Sequence, residues 1–350
     1  MKKKRYTSIF IICAALLCIG VSLGINLYVS FLVPNVISDG GTIYIYKNMD
    51  YEQMMKDVIE ESGALKNFSR FSRVAKKMEL SKKIKPGMYK LNPDMTNYAI
   101  VNLIASGMQT PIKLVVPGYL RNKEKLASVL GKKLEADSLN FITVLNDSTL
   151  RKKLGFKDET YLSMIIPNTY EVYWTITPEQ LLERLKKEYD KFWNQERTAN
   201  AKALNMTKEE VSILASIVIE ESKYIPELPT IAGVYINRLK RGMPLQADPT
   251  VKFAINDTSV KRILNKHLRI DSPYNTYKYK GLPPGPITIP PISAINAVLN
   301  YEKHNYIYFC ANSTFDGQHS FASNYRDHLK NARKYQKALK SYQKSQTNSQ

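Results

Sequence analysis

The sequence predicts an α+β fold with a single N-terminal transmembrane helix, a small α+β module and a larger mixed α+β domain. Three observations lead to this prediction. An apolar run of membrane-spanning length opens the chain, short β-like runs alternate with helical patterns up to about residue 109, and mainly helical patterns follow. The 350 residues are enough for two or three domains, and an apolar content of 44% is typical of globular proteins.

The first element is the apolar segment. Residues 8–33 contain no charged side chain, and about 20 apolar residues suffice to cross a bilayer. The basic residues within 1–7 predict a cytoplasmic tail, a single-pass helix over 8–33 in the cell (inner) membrane, and an extracytoplasmic position for the rest of the chain. A cleaved signal peptide is the alternative, but no small-residue cleavage site is present near Leu32 or Pro34. We therefore favour an uncleaved anchor.

The small module is predicted over residues 40–109. Alternating apolar residues indicate strands, apolar residues at helical spacing indicate helices, and Gly or Pro marks the turns. The elements are a strand over 42–46, helices over 51–62 and 67–78, a turn and strand over 85–91, and a helix over 97–106 ended by Gly107.

The larger domain is predicted over residues 110–331. It begins with a strand over 110–116, and a mainly helical region follows. The further predicted elements are an aromatic strand-like segment over 167–174, helices over 178–196, 208–221 and 230–240, and a strand over 306–311 that pairs with 319–321. Residues 243–291 are rich in Pro, Gly, Asn and Tyr, and a segment of this length without periodicity is usually functional. A basic polar tail over 332–350 continues a helix that fades into Gln/Ser disorder.

The net charge of +20 by itself suggests nucleic acid, a membrane surface or another polyanion as partner. The export topology and the lack of an RNP, zinc-finger or Gly-rich phosphate motif argue against nucleic acid. The remaining interpretation of the charge is a lysine-rich surface with a bias toward anionic lipid.

The three cysteines, two of them in the apolar run, provide no disulfide framework and no zinc spacing. We predict no cofactor and no metal, and structural roles for the four histidines, which are His267, His304, His319 and His328.

The candidate catalytic residue is Glu221, which ends the apolar run of the helix predicted over 208–221. A buried carboxylate is costly unless it is paired or protonated, so it often serves chemistry. With about 100° per residue, Ser212 and Ser216 mark a polar side of the helix, and Glu220 falls on its flank. Glu221 falls about 180° from Ser212. We therefore interpret Glu221 as the inward carboxylate and Glu220 as the solvated one.

Two roles remain open for Glu221 at this point. It could form an ion pair with Arg238, which also points inward on its own predicted helix. Alternatively, an apolar setting raises its pKa, and it could act as the general acid that protonates a glycosidic oxygen. Because a close ion pair would depress that pKa, we expect Arg238 near the site but not in direct contact with the carboxylate.

Other candidates lie in the segment that is rich in Pro, Gly, Asn and Tyr. Asp248 precedes a proline and either caps or turns the chain or binds substrate. The tyrosines and amides of residues 272–277 suit sugars, because rings stack on sugar C–H faces and amides bind hydroxyl and N-acetyl groups. The proline run of 281–287 is either a rigid connector or part of the site. Without a G-x-S-x-G or Cys/His signature, serine and cysteine nucleophiles are disfavoured.

Five ordered motifs resemble those of the YceG-like endolytic murein transglycosylases (MltG). They are Ala215-Ser216-Ile217-Val218-x-x-Glu221, Ala232–Leu239, Met243–Val251, Tyr274–Tyr277 and Gly281–Ile287. Pro167-x-Thr169-Tyr170 resembles an upstream motif, and Lys85–Tyr89 resembles the end of the family's LysM-like module. The resemblance runs from about Gly40 to about Asn331. Many members of the family carry glutamate where this chain has Ile219, so a glutamate at that position has no role here.

The resemblance implies an endolytic lytic transglycosylase with Glu221 as its catalytic glutamate. Such an enzyme cuts the MurNAc–GlcNAc β-1,4 bond within nascent peptidoglycan and leaves 1,6-anhydroMurNAc ends, which terminates strand elongation. It also implies that 40–109 is LysM-like, serving glycan binding or packing, and that 110–331 is the catalytic domain. The implied partners are glycan strands, the membrane and peptidoglycan synthases. Candidate substrate-binding residues are Asn237, Arg238, Gln246, Asp248, Tyr274, Asn275, Thr276 and Tyr277.

Two alternative functions stay open. A muramidase would use water in place of the substrate's own hydroxyl group and leave reducing ends. A membrane-anchored peptidoglycan-binding or scaffold protein would carry an inactive site.

Overall fold

The computed structural model describes residues 2–257, 260 and 262–347. The chain forms two compact units. The first unit contains the residues up to Leu114 together with Lys133–Ala136 and Tyr170–Ile176, and the second contains the others. Met1 of the predicted basic tail and residues 348–350 of the predicted polar tail lie outside the described residues. The domain bounds drawn from the sequence, and the LysM-like character of the small module, stay predictions.

The apolar N-terminal segment forms helix α1 (Lys2–Leu32). Its stretch Ser8–Leu32 covers 25 residues with a mean hydropathy of 2.6, which is long and apolar enough to cross a membrane. This agrees with the predicted span. Because α1 already begins at Lys2, the basic residues before the apolar stretch continue the same helix.

The first unit is built around an antiparallel pair of strands. Strand β1 (Gly41–Ile45) pairs with β2 (Gly87–Leu91) so that Gly41 lies opposite Leu91 and Ile45 opposite Gly87. The alternation of side chains along β1 turns Ile43 and Ile45 into the core. Both predicted strands are confirmed.

Short helices complete this core. They are α2 (Tyr51–Gln53) with a π-helical continuation over Met54–Glu60, α3 (Phe68–Lys77), a 3₁₀ turn over Leu80–Lys82, and α4 (Asn97–Ser106). Asn67 caps α3 and Thr96 caps α4 through their side chains. Gly107 ends α4 in the left-handed conformation, with φ at 74°. The helices predicted over 67–78 and 97–106 are therefore confirmed, whereas the one predicted over 51–62 is mostly π-helical.

The C-terminal end of α1 is fixed to the first unit by a buried amide cluster. Asn35 donates to the Asn97 side-chain oxygen at 2.7 Å and to the Asn67 backbone oxygen at 2.9 Å, and it accepts from the Asn67 backbone nitrogen at 2.9 Å. Asn97 donates in turn to the Ser30 backbone oxygen at 2.8 Å. Asn35 and Asn97 are 4% and 0% exposed. The cluster joins the segment from Ser30 to Asn35 to two places that are distant in sequence, Asn67 and Asn97.

The remaining elements are mainly helical. Strand β3 (Ile112–Val116) pairs with β4 (Asn168–Val172), and most of both strands belongs to the first unit. The helices of the second unit are α5 (Lys123–Gly131), α6 (Ser138–Leu145), α7 (Ser148–Lys153), α8 (Pro178–Phe192), α9 (Gln195–Ala203), α10 (Lys208–Glu221), α11 (Leu228–Lys240), α12 (Asp248–Ile255), α13 (Ile292–Leu299) and α14 (Tyr325–Thr347). Strand β5 (Tyr308–Ala311) pairs with β6 (His319–Ala322), as predicted.

Several predicted bounds in the second unit are wrong. The helix expected over 178–196 ends at Phe192, because Asn194 adopts an extended backbone and caps α9 with its side chain. Helix α11 starts two residues before the expected Thr230, with a proline in its first turn. Helices α9 and α13 were not predicted as separate elements.

Helix α10 lies at the centre of the second unit and packs against α11 and α13. Its nine residues from Val211 to Ile219 are all buried. The segment from Gly285 to Pro290 is buried as well, and the Ile287 backbone nitrogen donates to Ser216 Oγ of α10 at 3.0 Å. Gly285 lies so close to another backbone that an added Cβ would clash with the Glu159 oxygen, so only glycine fits there.

Candidate active site

Glu221 is the last residue of α10. The helix starts with a capping box between Thr207 and Glu210, and it ends because Ser222 takes an extended conformation. These are the predicted bounds, Lys208 to Glu221. A helix C-terminus disfavours a negative charge, so its local field favours the neutral form of this carboxyl group.

The closest partner of Glu221 is Tyr235 on α11. The Tyr235 hydroxyl donates to Glu221 Oε1 at 2.5 Å, and the tyrosine is only 2% exposed. Its ring stands edge-on to Phe309 of β5, with the ring centroids 5.9 Å apart. Tyr235 was not among the predicted site residues. Its place on the inward face of α11 was a usable signal, because a buried tyrosine hydroxyl normally finds a hydrogen-bond partner.

The environment of Glu221 poises it for proton transfer. Burial raises the pKa of its carboxyl from the usual 4.5 to about 7. The hydrogen bond from Tyr235 lowers this pKa, the charge of Asp248 raises it, the guanidinium of Arg238 lowers it, and Glu220 raises it slightly. The residue as a whole keeps partial exposure, although its carboxyl group is surrounded by protein. At neutral pH, both protonation states are populated.

Arg238 lies near this carboxyl without touching it. Its Nε donates to the Ile307 oxygen at 2.6 Å and its Nη1 to the Leu245 oxygen at 2.8 Å, and the guanidinium sits 5.2 Å from the centre of the Tyr308 ring. Among the described residues, no ion pair joins Arg238 to Glu221, in agreement with the prediction. The ion-pair alternative for Glu221 is therefore wrong for Arg238, which acts on it only through its charge.

The sequence-based view of the neighbouring glutamate needs correction. Glu220 is not simply solvated: its Oε2 accepts from Arg121 Nη2 at 2.6 Å, and its side chain is 18% exposed. Ser212 and Ser216 do not mark a polar side either, because both are fully buried and donate to backbone oxygens one turn earlier in α10. A buried serine can satisfy its hydroxyl within the helix, so it does not indicate solvent.

Asp248 and Tyr277 form a second polar pair of the site. Asp248 is the first residue of α12 rather than its N-cap, which is Ala247. Its Oδ1 accepts a hydrogen bond of 2.6 Å from the Tyr277 hydroxyl. Burial, followed by this bond, raises the pKa of Tyr277 above its usual range, so the tyrosine stays protonated. Asp248 therefore presents an exposed and oriented carboxylate close enough to affect Glu221.

Gln246 precedes this pair in a strained conformation. Its φ of 52° is in the left-handed region, which is uncommon for residues other than glycine. The backbone is held there because Gln246 N donates to the Thr276 oxygen at 3.0 Å, and Arg238 Nη1 lies 3.4 Å from its side-chain oxygen. The side chain is exposed.

Three other predicted residues use their polar groups inside the protein. Asn275 donates to the Leu268 and Ile270 oxygens at 2.9 and 2.8 Å. Thr276 Oγ1 accepts from the Ala247 nitrogen at 3.0 Å. Asn237 donates to the His304 and Tyr306 oxygens at 2.7 and 3.0 Å. These three side chains hold loops in place through hydrogen bonds to the backbone, whereas the side chains of Asp248 and Gln246 are exposed.

Tyr274 packs its ring against Phe253 of α12, with 4.7 Å between ring centroids. Three of the four histidines also have internal partners, and His267 Nδ1 accepts from the Leu264 backbone nitrogen at 3.1 Å. His304 Nε2 lies 2.9 Å from the Thr230 oxygen, and His319 Nδ1 lies 2.7 Å from Glu227 Oε2. In the described part of the chain, no three His, Cys, Asp or Glu residues are grouped as a metal site.

A cavity of about 850 Å³ lies at the opposite end of α10. Its walls include Thr207, Glu210 and Lys240, together with Leu282 and Pro283 of the proline run. Since the 14 residues of α10 span about 20 Å, this cavity is separate from the Glu221 carboxyl.

Known proteins resemble this chain over most of its length. The profile of the YceG-like family matches residues 43–334. The protein named endolytic murein transglycosylase from Bacillus subtilis (strain 168) is 32% identical over 322 residues, which is 88% of this chain and 84% of that protein. The protein of the same name from Streptococcus pneumoniae serotype 2 (strain D39) is 28% identical over 366 residues. That alignment covers 94% of this chain but 64% of the relative, so the chain spans less than two thirds of its length.

A solved structure agrees with these matches. The 2.6 Å crystal structure of a YceG-like protein from Listeria monocytogenes superposes with a TM-score of 0.55 at 27% identity, covering 84% of this chain and 99% of that one. The family match extends far beyond half of the sequence, and it includes α10 and Glu221. The chain belongs to the YceG-like family.

Proposed function

We propose that this protein is an endolytic lytic transglycosylase that cuts the MurNAc–GlcNAc β-1,4 bond within peptidoglycan strands and leaves 1,6-anhydroMurNAc ends. The observation that carries the proposal is the Glu221 carboxyl, whose pKa of about 7 suits an acid that must later act as a base. The relatives named endolytic murein transglycosylase support the reaction type. Such an enzyme is a lyase of peptidoglycan.

In the first step, protonated Glu221 donates its proton to the glycosidic oxygen between MurNAc and GlcNAc. The bond from MurNAc C1 to that oxygen breaks, and positive charge develops on C1 and the ring oxygen. Since Oε1 is held by Tyr235 at 2.5 Å, we assign the proton to Oε2. The GlcNAc leaves with a free 4-hydroxyl group.

In the second step, the C6 hydroxyl oxygen of the same MurNAc attacks C1, and the Glu221 carboxylate takes the O6 proton. The 1,6-anhydro ring forms, and Glu221 is again protonated. The nucleophile belongs to the substrate, so one carboxyl suffices for both proton transfers. Catalysis by such a positioned acid–base group typically supplies about 10²–10⁴-fold in rate.

The surrounding residues have separate roles in this proposal. Tyr235 orients the carboxyl, and Arg238 adds a nearby positive charge while fixing the chain around Leu245 and Ile307. Asp248, Tyr277 and Gln246 offer exposed polar groups to the sugars, with Tyr274 beside them. Asn237, Asn275 and Thr276 act through the loops that they hold.

The proposal also includes a location and partners. Helix α1 anchors the chain in the cell membrane in a single pass, with the N-terminus in the cytoplasm and the remainder outside. Next to the membrane, the enzyme meets nascent strands and terminates their elongation beside the peptidoglycan synthases. The high lysine and arginine content suits a position close to anionic lipid and wall polymers.

The direct test compares the wild-type full chain with Glu221→Gln on isolated glycan strands. Mass spectrometry of the products should show ends lighter by one water than reducing ends, and the variant should produce none. Glu209→Gln is the matched control, because Glu209 also accepts from a buried tyrosine, Tyr189, at 2.9 Å near the other end of α10. Cleavage by Glu221→Gln at the wild-type rate would contradict the assignment.

A muramidase is the second candidate, and one observation favours it. The carboxylate of Asp248 is exposed, held by Tyr277 and close enough to raise the pKa of Glu221. It could take a proton from water that attacks C1, as the second carboxylate of glycoside hydrolases does. This function predicts reducing ends that disappear in Asp248→Asn, whereas the transglycosylase predicts anhydro ends that persist. A wild-type protein that binds glycan without cutting it would instead be a scaffold.

A further inference from the structure

Tyr119 has a backbone conformation that its side chain does not favour. Its φ is 64°, in the left-handed region where bulky residues are rare outside special sites. The side chain is 54% exposed, so its own burial does not explain this conformation. Strained residues that persist are held by their surroundings, and they cluster at binding and catalytic sites.

The segment that holds Tyr119 is fixed on both sides. Tyr119 N donates to the Ile289 oxygen at 2.8 Å, and Ile289 N donates to the Leu120 oxygen at 2.8 Å. Ile289 continues the buried segment that is bonded to α10 through Ile287 and Ser216. These two backbone hydrogen bonds with Ile289 hold the chain in a turn at Tyr119, and the tyrosine ring stays exposed to solvent.

Arg121 connects the same segment to the candidate active site. It lies two residues after Tyr119 and forms the 2.6 Å ion pair with Glu220, the neighbour of Glu221. Its side chain is 40% exposed, and a guanidinium has five N–H donors, so donors remain for a ligand. The last turn of α10 is therefore paired with a cation that lies two residues from an exposed aromatic ring.

We propose that Tyr119 and Arg121 form a sugar subsite next to Glu221 that takes an N-acetylhexosamine of the glycan strand. The Tyr119 ring stacks on the apolar C–H face of the sugar, and Arg121 donates to its acetamido or carboxylate oxygen while keeping the segment against Glu220. This inference rests on the proposed glycan substrate but not on the product formed.

The test measures binding rather than cleavage. The full chain in detergent carries Glu221→Gln, and isothermal calorimetry follows its binding to a peptide-free oligosaccharide of alternating GlcNAc and MurNAc. Tyr119→Gly should weaken binding about tenfold, whereas Tyr119→Phe, which keeps the ring, should stay close to the parent. Because glycine accepts a positive φ, Tyr119→Gly should unfold at the parent temperature or above it. A merely structural tyrosine would not lose affinity while keeping thermal stability.

Two further variants keep the test decisive. Tyr119→Asn also tolerates the left-handed conformation without providing a ring, and it should weaken binding like Tyr119→Gly. Tyr173→Asn is the matched control, since Tyr173 is 54% exposed too, and it should leave binding unchanged. Parent-like affinity in both Tyr119→Gly and Tyr119→Asn, or no binding by the parent itself, would overturn the subsite. Failure of the proposed function shows separately, as cleavage that persists in Glu221→Gln.

Discussion

Two buried polar clusters in this protein differ in how completely their polar groups are hydrogen-bonded. In the first unit, the side chains of Asn35 and Asn97 make four hydrogen bonds with Asn67, Ser30 and each other. In the second unit, the Glu221 carboxyl accepts one short hydrogen bond from Tyr235 and carries a pKa raised by burial. The first cluster fixes structure, and the second is left ready to exchange a proton.

The difference teaches where to look for chemistry among buried polar residues. A network whose donors and acceptors are all paired gains little from a ligand and is costly to break. A buried titratable group that has only some of its hydrogen-bond partners is stabilised by a substrate that supplies the missing ones. Such a group can also titrate near neutral pH. Residue type alone does not separate the two cases, because asparagine and glutamate occur in both structural and catalytic roles.

The largest expected effect is on activity. Glu221→Gln should lower the rate of strand cleavage about 10²–10⁴-fold, because the amide can neither donate the proton nor take it back. Release of soluble glycan fragments from sacculi measures this rate. Glu209→Gln, which alters a tyrosine-bonded glutamate remote from the site, should leave the rate near wild type.

The amide cluster should respond in stability instead. Asn97→Ala removes the bonds to Asn35 and Ser30 and leaves their buried partners unpaired, which should lower the free energy of unfolding by about 2–4 kcal/mol. Chemical denaturation of the full chain in detergent measures the change, with exposed Asn92→Ala as control. A cleavage rate per folded molecule that also falls would mean that the two clusters are not independent.

Glu221→Gln should have the opposite effect on stability. The pKa of Glu221 is about 7 in the folded chain and near 4.5 when unfolded, so the folded state binds this proton more tightly. The contribution of this group to folding stability is therefore greatest below pH 4.5, and that contribution is lost as the pH rises through 7. Relative to wild type, Glu221→Gln should gain unfolding free energy over this range. Parallel stability curves from pH 4.5 to 8 would contradict the burial-raised pKa.

Tyr235→Phe should change the pH profile of cleavage. The lost hydrogen bond favoured the carboxylate, so the pKa of Glu221 should rise and the alkaline limb of the profile should move to higher pH. The rate at its optimum should fall about tenfold, because the carboxyl is no longer oriented. Tyr189→Phe, which breaks the equivalent hydrogen bond to Glu209, should change neither the alkaline limb of the pH profile nor the cleavage rate at its optimum.

The smallest effect is expected for Asp248→Asn. Its negative charge raises the pKa of Glu221, so its removal should move the alkaline limb to lower pH. For a transglycosylase the rate at the optimum should change only modestly. Loss of nearly all cleavage together with reducing ends in the wild type would favour the muramidase.

Local signals predicted much of the fold. The apolar run predicted the helix that became α10, and Gly107 marked the end of α4. These signals act over one or two helical turns, so they can be read directly. The break at Asn194 was missed, although its capping chemistry was visible.

The candidate site was predicted less completely. Glu221 was correctly expected to point inward, its catalytic role stays a prediction, and Arg238 was correctly expected near it without a salt bridge. The helical wheel relied on Ser212 and Ser216 as a polar side, which was wrong, because both hydroxyls are satisfied inside the helix. The wheel gives directions around one helix, but the surroundings of that helix decide which directions meet solvent.

The sequence by itself determined the apolar α1, the helix that ends at Glu221 and the family to which the chain belongs. These follow from hydropathy, capping and motif order, which are local or collinear properties. Only the tertiary structure decided that Tyr235 bonds Glu221, that Arg121 bonds Glu220 and that Tyr119 is forced into a left-handed turn. The physical reason is that a buried polar group takes its partner from whatever the fold brings within about 3 Å, and that partner can lie anywhere along the chain.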